Sequence, residues 1–594
     1  MRLFASPNAL PGAICRLKAL IYSLSFAGEG RLPAKSYPQA TEQNGIAAIA
    51  ALAVAALLLA PDIKWALGDQ SNWPWDQAYY ASEVLKIFRA SESGIADWAA
   101  AMEFAKEGRP PLMVWVGQLF VPLRHLTGEI ESALLLENLL WDGLAVWLVY
   151  TISRRLGAGA IESLVALVAL GASGIVIALN HQFLVETTQC AAVAFMMFAA
   201  FQIEKRSWLA ALSLVVIGVV IGVLSKESSI IFIAPLLAYA ILVLFVTRRR
   251  PKLPMRPGDL LLAAAAGSAV VAATAWYWEN LFLSIAHVHA ATSGDAALNW
   301  GSEVHLGPKL AFWTSTLAKA LSPFLQVSLA MGAVILLAMV LAAIRFRLTK
   351  DRSLIETAID NGSLFVLTLF GTICAALLAF SLQINEDTRY LISLVPMIAV
   401  LLGWALSVLE IRALSAAMLV ALAAGGLVNH AVSFGYDLVG VISFNYLGAL
   451  HNDTARRQLL TAAVQATCHD GNEGQSNVVA VSYSWLSYHT ATLTSNKEAL
   501  RQGSRPCIYL PVNMQERDLA HAIDTIVSMK AKYVITVSAE TQHQMEAAGE
   551  PKFVNLISLS LMEALARDPR FVRTAESNNT VLIYRPAPEA VAER

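Results

Sequence analysis

An aspartate set among tryptophans and tyrosines is the residue in this chain best placed to do chemistry: Trp73-Pro74-Trp75-Asp76-Gln77-Ala78-Tyr79-Tyr80. A carboxylate with an ordinary pKa of about 3.9 is ionised at neutral pH and can take the proton of an attacking hydroxyl. The same position suits a helix N-cap, because an amphipathic run, 81–90, follows it. Trp73, Trp75, Tyr79 and Tyr80 are by residue type also membrane-interface anchors. Other charged groups that could join such a reaction are Arg109 in Gly108-Arg109-Pro110-Pro111-Leu112, Glu186, Lys226-Glu227 and Arg389-Tyr390. Each has a plain alternative: Lys226-Glu227 as a solvated turn, Arg389 snorkelling to an interface, Glu186 capping a helix near Thr187.

The elements that must position these groups are membrane spans. The chain has 594 residues, of which 56% are hydrophobic and 15% charged, with mean hydropathy +0.55. Soluble domains carry about a quarter charged residues, so this is a polytopic membrane protein. A net charge of −1 gives no global attraction to nucleic acid, and none is expected as a partner. Apolar segments fall at 46–60, 133–152, 163–178, 187–202, 208–224, 230–246, 260–277, 324–344, 363–382, 391–409 and 414–428. They predict about eleven helices, most near the ~20 residues a span needs. Residues 1–45 are mildly basic (Arg2, Arg16, Lys18, Arg31, Lys35) and lack a clean signal-peptide core, which predicts a cytoplasmic tail.

The short segment 111–123 is followed closely by Pro122, Arg124 and His125, and decides the topology. If it lies along the membrane surface, Arg154-Arg155, Lys205-Arg206, Arg248-Arg249-Arg250 with Lys252 and Arg256, Arg345, Arg347, Lys350, Arg352 and Arg412 all face the cytoplasm. If it spans, those clusters fall outside and the positive-inside rule fails repeatedly. The segment therefore reads as interfacial or re-entrant. With that parity the loops holding Asp76, Arg109, Glu186, Lys226 and Arg389 open on one face, the outer one, together with everything after about Asn429.

Beyond 430 the chain turns polar. Short runs at 478–482, 507–512, 533–538 and 580–584 read as strands, with helices at 516–530, 540–548 and 557–567, which predicts a small α/β domain. The expected organisation is a tail at 1–45, a membrane domain at 46–430 with its catalytic loop at 61–132, and an extracytoplasmic domain at 431–594. Cys468 and Cys507 both fall in that last domain, where a disulfide is chemically permitted; two separate buried thiols are the alternative. Glu137 and Asp142 lie within a predicted span, where ionisable groups are costly unless paired or functional. His287-Val288-His289 and Glu303-Val304-His305 invite a metal reading, but no nearby Cys or Asp completes a shell. Ser482-Tyr483-Ser484-Trp485-Leu486-Ser487-Tyr488-His489 is rich in groups that stack on sugars, and equally suits a strand end running into a helix start.

An acid followed by Tyr-Tyr soon after the first span, then a basic residue with Pro-Pro-Leu, resembles the GT-C glycosyltransferases, in particular the protein O-mannosyltransferase and lipid A aminoarabinose transferase group. In that family the first outer loop carries an Asp-Glu pair whose Asp is the proposed base, and a surface helix beginning Lys-Pro-Pro-Leu. Asp76 matches the Asp, Gln77 replaces the Glu, and Arg109-Pro110-Pro111-Leu112 matches the second motif with Arg for Lys. Glu186 resembles the acid that closes the next outer loop, although the Arg usual in that loop is absent. Gly222-Val223-Leu224-Ser225-Lys226-Glu227 is similar to the family's Lys-containing turn, and Arg389-Tyr390-Leu391 to its late Arg-Tyr-Leu motif. The resemblance covers about 46–410 and leaves the C-terminal domain uncovered.

The resemblance implies a mostly α, polytopic GT-C fold with interfacial helices in the first outer loop and the α/β domain appended. It implies transfer of a sugar from a polyprenyl-phosphate donor to a hydroxyl of a protein, lipid A or another envelope glycan, with inversion, at the outer face of a bacterial inner membrane. Asp76 and Glu186 are then the catalytic candidates. Arg109, Lys226, Arg389, Tyr79, Tyr80, Glu227 and Tyr390 are the candidates for holding the lipid phosphate and sugar. The expected partners are the lipid-linked donor, the acceptor and membrane lipids; no cofactor and no divalent metal are expected. A lipid or solute transporter without glycosyl chemistry is the competing reading, its marks being inverted repeats and paired broken helices near the midplane.

Overall fold

The apolar segments all become helices in the computed structural model, which describes residues 41–103, 108–203, 206–246, 255–293, 297, 301–348, 362–438, 441, 444, 453–468, 475–512, 518–547, 558–574 and 578–587. The greater part of the expected tail, 1–40, lies outside the described residues, as do Lys205, 248–250, Lys252, Lys350 and Arg352. Among the described residues nine helices are long and apolar enough to cross a membrane. They become ten if Ala160–Gly171 and Gly174–Asn180, bent by 53°, count as one broken span. Val185–Gln202 is a further, almost wholly buried helix of the same bundle.

Burial sorts these helices into centre and rim. The span Thr388–Leu409 is 89% buried and forms the centre, whereas Ala47–Gly68 and Pro257–Thr292 are 11% and 17% buried and turn apolar residues such as Leu57 and Phe282 outward. Small residues let the central helices approach closely. At Gly426 an added Cβ would stand 2.6 Å from the Cβ of Ala172.

Two elements run further than their apolar cores suggest. The first helix continues from Thr41 to Gly68 across Pro61. The helix begun at Pro257 continues to Thr292, well past Tyr277, because no breaker interrupts Trp278 to Thr292. His287 and His289 are thus helical, two residues apart, and point in different directions. The segment 111–123 does not span: it forms the short helix Leu112–Gly117 and a 3₁₀ turn, Val121–Leu123.

The C-terminal sheet has five strands, β1 Ser476–Val479, β2 Ile508–Pro511, β3 Val534–Val537, β4 Phe571–Arg573 and β5 Val581–Pro586, in the order β2-β1-β3-β5-β4. β1 pairs parallel to β2 and β3, while β5 pairs antiparallel to β3 and β4. Cys468 and Cys507 are joined by a disulfide, Cα–Cα 5.7 Å, which ties the end of helix Thr454–Thr467 to the residue before β2.

This unit is fastened to one end of the bundle. Lys497 in helix Tyr488–Gln502 meets Glu131, at the start of the span Ile130–Arg155, at 2.5 Å, and Arg457 reaches Glu129 at 3.3 Å. Arg154 and Arg155 lie at the other end of that same span.

Candidate functional site

Asp76 is held by its helix, by its neighbours and by the C-terminal unit. The helix Trp75–Ser93 begins after Pro74, whose extended backbone (φ −79°, ψ 155°) sets the entry, and no side chain caps it. Asp76 lies in the first turn but does not act as the cap. Its Oδ1 instead accepts a hydrogen bond from Arg109 Nη1 at 3.0 Å. Trp75 has φ +28°, a region costly for an aromatic residue. Its indole N–H donates to Ser482 Oγ at 3.2 Å, fixing the ring beside the site.

Arg109 arrives through a glycine that nothing larger could replace. Gly108 has φ +84°, and an added Cβ would meet the backbone of Leu283 at 2.6 Å and Ser284 N at 2.8 Å. The Ser284 hydroxyl donates to Gly108 O and pins the loop to helix Pro257–Thr292. From there the guanidinium lies over the rings of Tyr79 and Tyr80, 5.1 and 5.8 Å from their centroids, with Tyr80 Oη 3.4 Å away. Burial raises the Tyr80 phenol further above its ordinary range, so it stays a neutral hydroxyl.

The remaining charged candidates extend this contact into a chain of alternating sign. Arg389 Nη1 is 3.6 Å from Asp76 Oδ2, and Arg389 Nε is 3.8 Å from Glu186 Oε1. Glu186, itself buried, accepts from Lys226 Nζ at 2.7 Å. Lys226 stands where the backbone is extended (φ −164°, ψ 144°) between helix Trp208–Ser225 and the following 3₁₀ turn, and its ammonium lies 4.4 Å over the Tyr390 ring. The order is therefore Arg109, Asp76, Arg389, Glu186, Lys226. Five separate segments contribute one residue each.

Electrostatics follow the geometry. Burial by itself would raise the Asp76 carboxyl, but Arg109 and Arg389 outweigh it and hold it well below the usual carboxylate range. Arg389 is oriented by Asp387, whose carboxylate accepts from Arg389 N at 3.1 Å and from Nε at 2.8 Å. Burial opposes the Asp387 charge, yet Arg389 wins and lowers that carboxyl too. Glu227 lies within electrostatic reach of Lys226 and Arg109, and its Oε1 has no hydrogen-bond partner among the described residues.

All nine site residues expected from the sequence gather at this one place, and three neighbours outside that set join them. Asp387 could have been suspected from its spacing, two residues before Arg389. His489, from the C-terminal unit, sits edge-on to Tyr79 with ring centroids 5.4 Å apart. His287 is in electrostatic reach of Arg109, Asp76 and Lys226, and only the helix continuing past Tyr277 brings it there. Gln77, where the family motif has an acid, turns inward: its Oε1 accepts from Phe183 N at 3.3 Å and braces the loop leading to Glu186. Glu137 bonds Trp141 at 3.0 Å within its own helix, and Asp142 accepts from Asn180 at 3.0 Å in a separate buried network with Asp62 and His181. Among the described residues no three His, Cys, Asp or Glu side chains are grouped to hold a metal ion.

Residues 108–278 match the family described as dolichyl-phosphate-mannose-protein mannosyltransferase, a stretch that opens on Gly108-Arg109 and contains Glu186 and Lys226. The fold is similar to that of ArnT from Cupriavidus metallidurans in two crystal structures, one bound to undecaprenyl phosphate and one in the apo state. For the bound form the TM-score is 0.51 at 13% identity, and for the apo form 0.50 at 13%. Each likeness covers 93% of this chain and 100% of ArnT, so it extends past residue 410 into the C-terminal unit that the sequence motifs left uncovered. No curated protein matches the chain by sequence.

Proposed function

We propose that this chain, whose fold and 108–278 segment resemble GT-C glycosyltransferases, is a membrane glycosyltransferase that transfers a sugar from a polyprenyl-phosphate donor to an acceptor hydroxyl with inversion. The observation that carries the reading is the ion chain Arg109, Asp76, Arg389, Glu186, Lys226, which sets a carboxylate base among three cations at one end of the bundle. The undecaprenyl phosphate bound to ArnT supports a lipid-linked donor. In this reading that end faces outward, the membrane is a bacterial inner membrane, the N-terminus is cytoplasmic and the C-terminal unit periplasmic.

The acceptor oxygen attacks the anomeric carbon as Asp76 takes its proton. The bond from that carbon to the phosphate oxygen breaks, its electron pair stays on the phosphate, and the lipid phosphate gains one negative charge. Arg109, Arg389 and Lys226 stabilise that charge through charge-assisted hydrogen bonds. Glu186 and Asp387 aim Lys226 and Arg389, while Tyr79 and Tyr80 hold the Arg109 plane. Glu227 and Tyr390 line the Lys226 side, where the sugar is assigned. One displacement with one base inverts the anomeric centre. Charge neutralisation falls to Lys and Arg, so activity is expected to survive chelation by EDTA.

A further role follows for the pairing of Asp76. A carboxylate between two guanidiniums is a weak base. As the donor phosphate draws Arg109 and Arg389 towards itself, Asp76 regains basicity at the moment a proton must move.

The test compares envelope glycolipids and glycoproteins of cells with and without the gene, then complements with Asp76→Asn. Loss of one glycan that wild type restores and Asp76→Asn does not is the expected result. Full restoration by Asp76→Asn would refute the assignment of the base.

A further inference from the structure

A polar cavity of about 600 Å³ lies between the bundle and the C-terminal unit, walled by the start of span Ile130–Arg155, by helices Thr454–Thr467 and Tyr488–Gln502, and by residues near Trp73. Its size is that of a small-molecule site. It is a built site and not a gap between surfaces. Lys497 and Glu131 are 7% and 8% exposed and face each other across its wall at 2.5 Å. Glu131 keeps its second oxygen, Oε2, buried without a hydrogen-bond partner, and Asn72 does the same with its amide nitrogen Nδ2. A buried acceptor and a buried donor left open are costly unless a ligand completes them.

The charge of the lining says what kind of ligand. Its cations, Arg457, Lys497 and Arg501, are all engaged by Glu129, Glu131 or Glu498. Asp69 adds one more acid, so the lining holds four acids against three bases and has no cation to spare for a phosphate or carboxylate. Uncharged groups supply the rest, including Gln458, Thr461, Gln465 and Thr494. Paired charges, amides and hydroxyls together match the many donors and acceptors of a neutral saccharide.

The position says what the saccharide is for. Trp73 lines the cavity three residues before Asp76, and Thr490 lines it one residue after His489, which touches Tyr79. We propose that this cavity is a saccharide-binding site that holds a neutral, non-reacting part of the acceptor glycan while its hydroxyl is presented to Asp76. The acceptor role rests on the glycosyl-transfer reading; saccharide binding itself does not.

The experiment uses the full chain in detergent micelles and saturation-transfer-difference NMR. The probes are neutral oligosaccharides of three to five glucose, galactose, mannose or N-acetylglucosamine units. Wild type and Asp76→Asn are expected to give signal with at least one probe. Thr494→Trp and, independently, Thr461→Trp fill the cavity and are expected to cut that signal at least fivefold, in whichever variant keeps the wild-type elution profile and Tm. No signal with any probe, or equal signal in the filled variants, overturns the site. In transfer assays with envelope membranes as acceptor, the filled variants should raise acceptor KM at least fivefold and leave donor KM unchanged; an unchanged acceptor KM overturns the acceptor role. If wild type transfers nothing but binds a probe that Thr494→Trp excludes, glycosyl transfer fails and the saccharide site stands.

Discussion

His489 meets Tyr79 edge-on, with ring centroids 5.4 Å apart and planes at 71°, so the C-terminal unit touches the shell around Asp76 directly. Burial pushes the imidazole down to about 4, more strongly than the Asp76 charge pulls it up. The folded state therefore binds fewer protons at His489 than the unfolded chain, whose ordinary value is about 6.5. Stability from this source is present above about 6.5 and is lost as pH falls towards 4. The Tm of wild type should drop across that window, and His489→Gln should flatten the drop. A curve of the same slope in both proteins would exclude His489 as the cause.

Asp76 predicts a difference between two kinetic pH profiles. In the free protein its carboxyl is held below the usual range, so it is ionised at any pH above that depressed value. The acidic limb of kcat/KM for transfer should then lie below the ordinary value of about 3.9. If Arg109 and Arg389 turn to the phosphate in the donor complex, as proposed, the limb of kcat should sit at higher pH. Asp76→Asn should lower the rate on the order of 10²–10⁴-fold at all pH values. Coincident limbs for kcat and kcat/KM would refute the exchange of partners.

Gly108 tests how Arg109 is placed. Gly108→Ala combines a left-handed backbone with a Cβ driven into Leu283 and Ser284, and should displace Arg109 and cut transfer at least tenfold. Gly267→Ala, on the same Pro257–Thr292 helix with nothing within 4 Å of the new Cβ, is the matched control and should be unaffected. Equal activity of the two variants in a transfer assay would remove the anchoring role of Gly108.

The Cys468–Cys507 disulfide closes a segment with a sequence separation of 39. Loop-closure reasoning puts its contribution at about 3–4 kcal/mol. Reduction, or Cys507→Ala, should lower the Tm of the C-terminal unit by several degrees, read from the loss of its sheet signal. A Tm indifferent to reductant would count against the bond.

Much of this was legible in the residues, for a physical reason. Hydropathy must mark every span, and the sites of Asp76, Arg109, Glu186, Lys226 and Arg389 stood out because charge beside a membrane needs an explanation. What stayed hidden depended on distance in space. Helix Thr454–Thr467 is too polar to announce itself, and strand β4, Phe571 to Arg573, is too short. His489 ends a run marked for sugar stacking, but its place beside Tyr79 was hidden, since only the docking of Tyr488–Gln502 on Trp75–Ser93 brings it there. Gln77 looked like a lost acid, whereas its amide holds Phe183 N in a place where a carboxylate would add a further negative charge.

The alternation of charge from Arg109 to Lys226 also acts as a filter. A small free anion entering here must compete with a carboxylate already seated on each cation, and every carboxylate it displaces is left partly desolvated. It brings no apolar surface in return. A lipid-linked phosphate gains about 0.8 kcal/mol for each methylene its tail buries, so the tail decides what binds and the headgroup only where. Millimolar inorganic phosphate is therefore expected to leave transfer uninhibited, and competitive inhibition by it would show the filter absent. On the proposed reaction, the self-paired cations favour an anion that arrives sideways, through the bilayer.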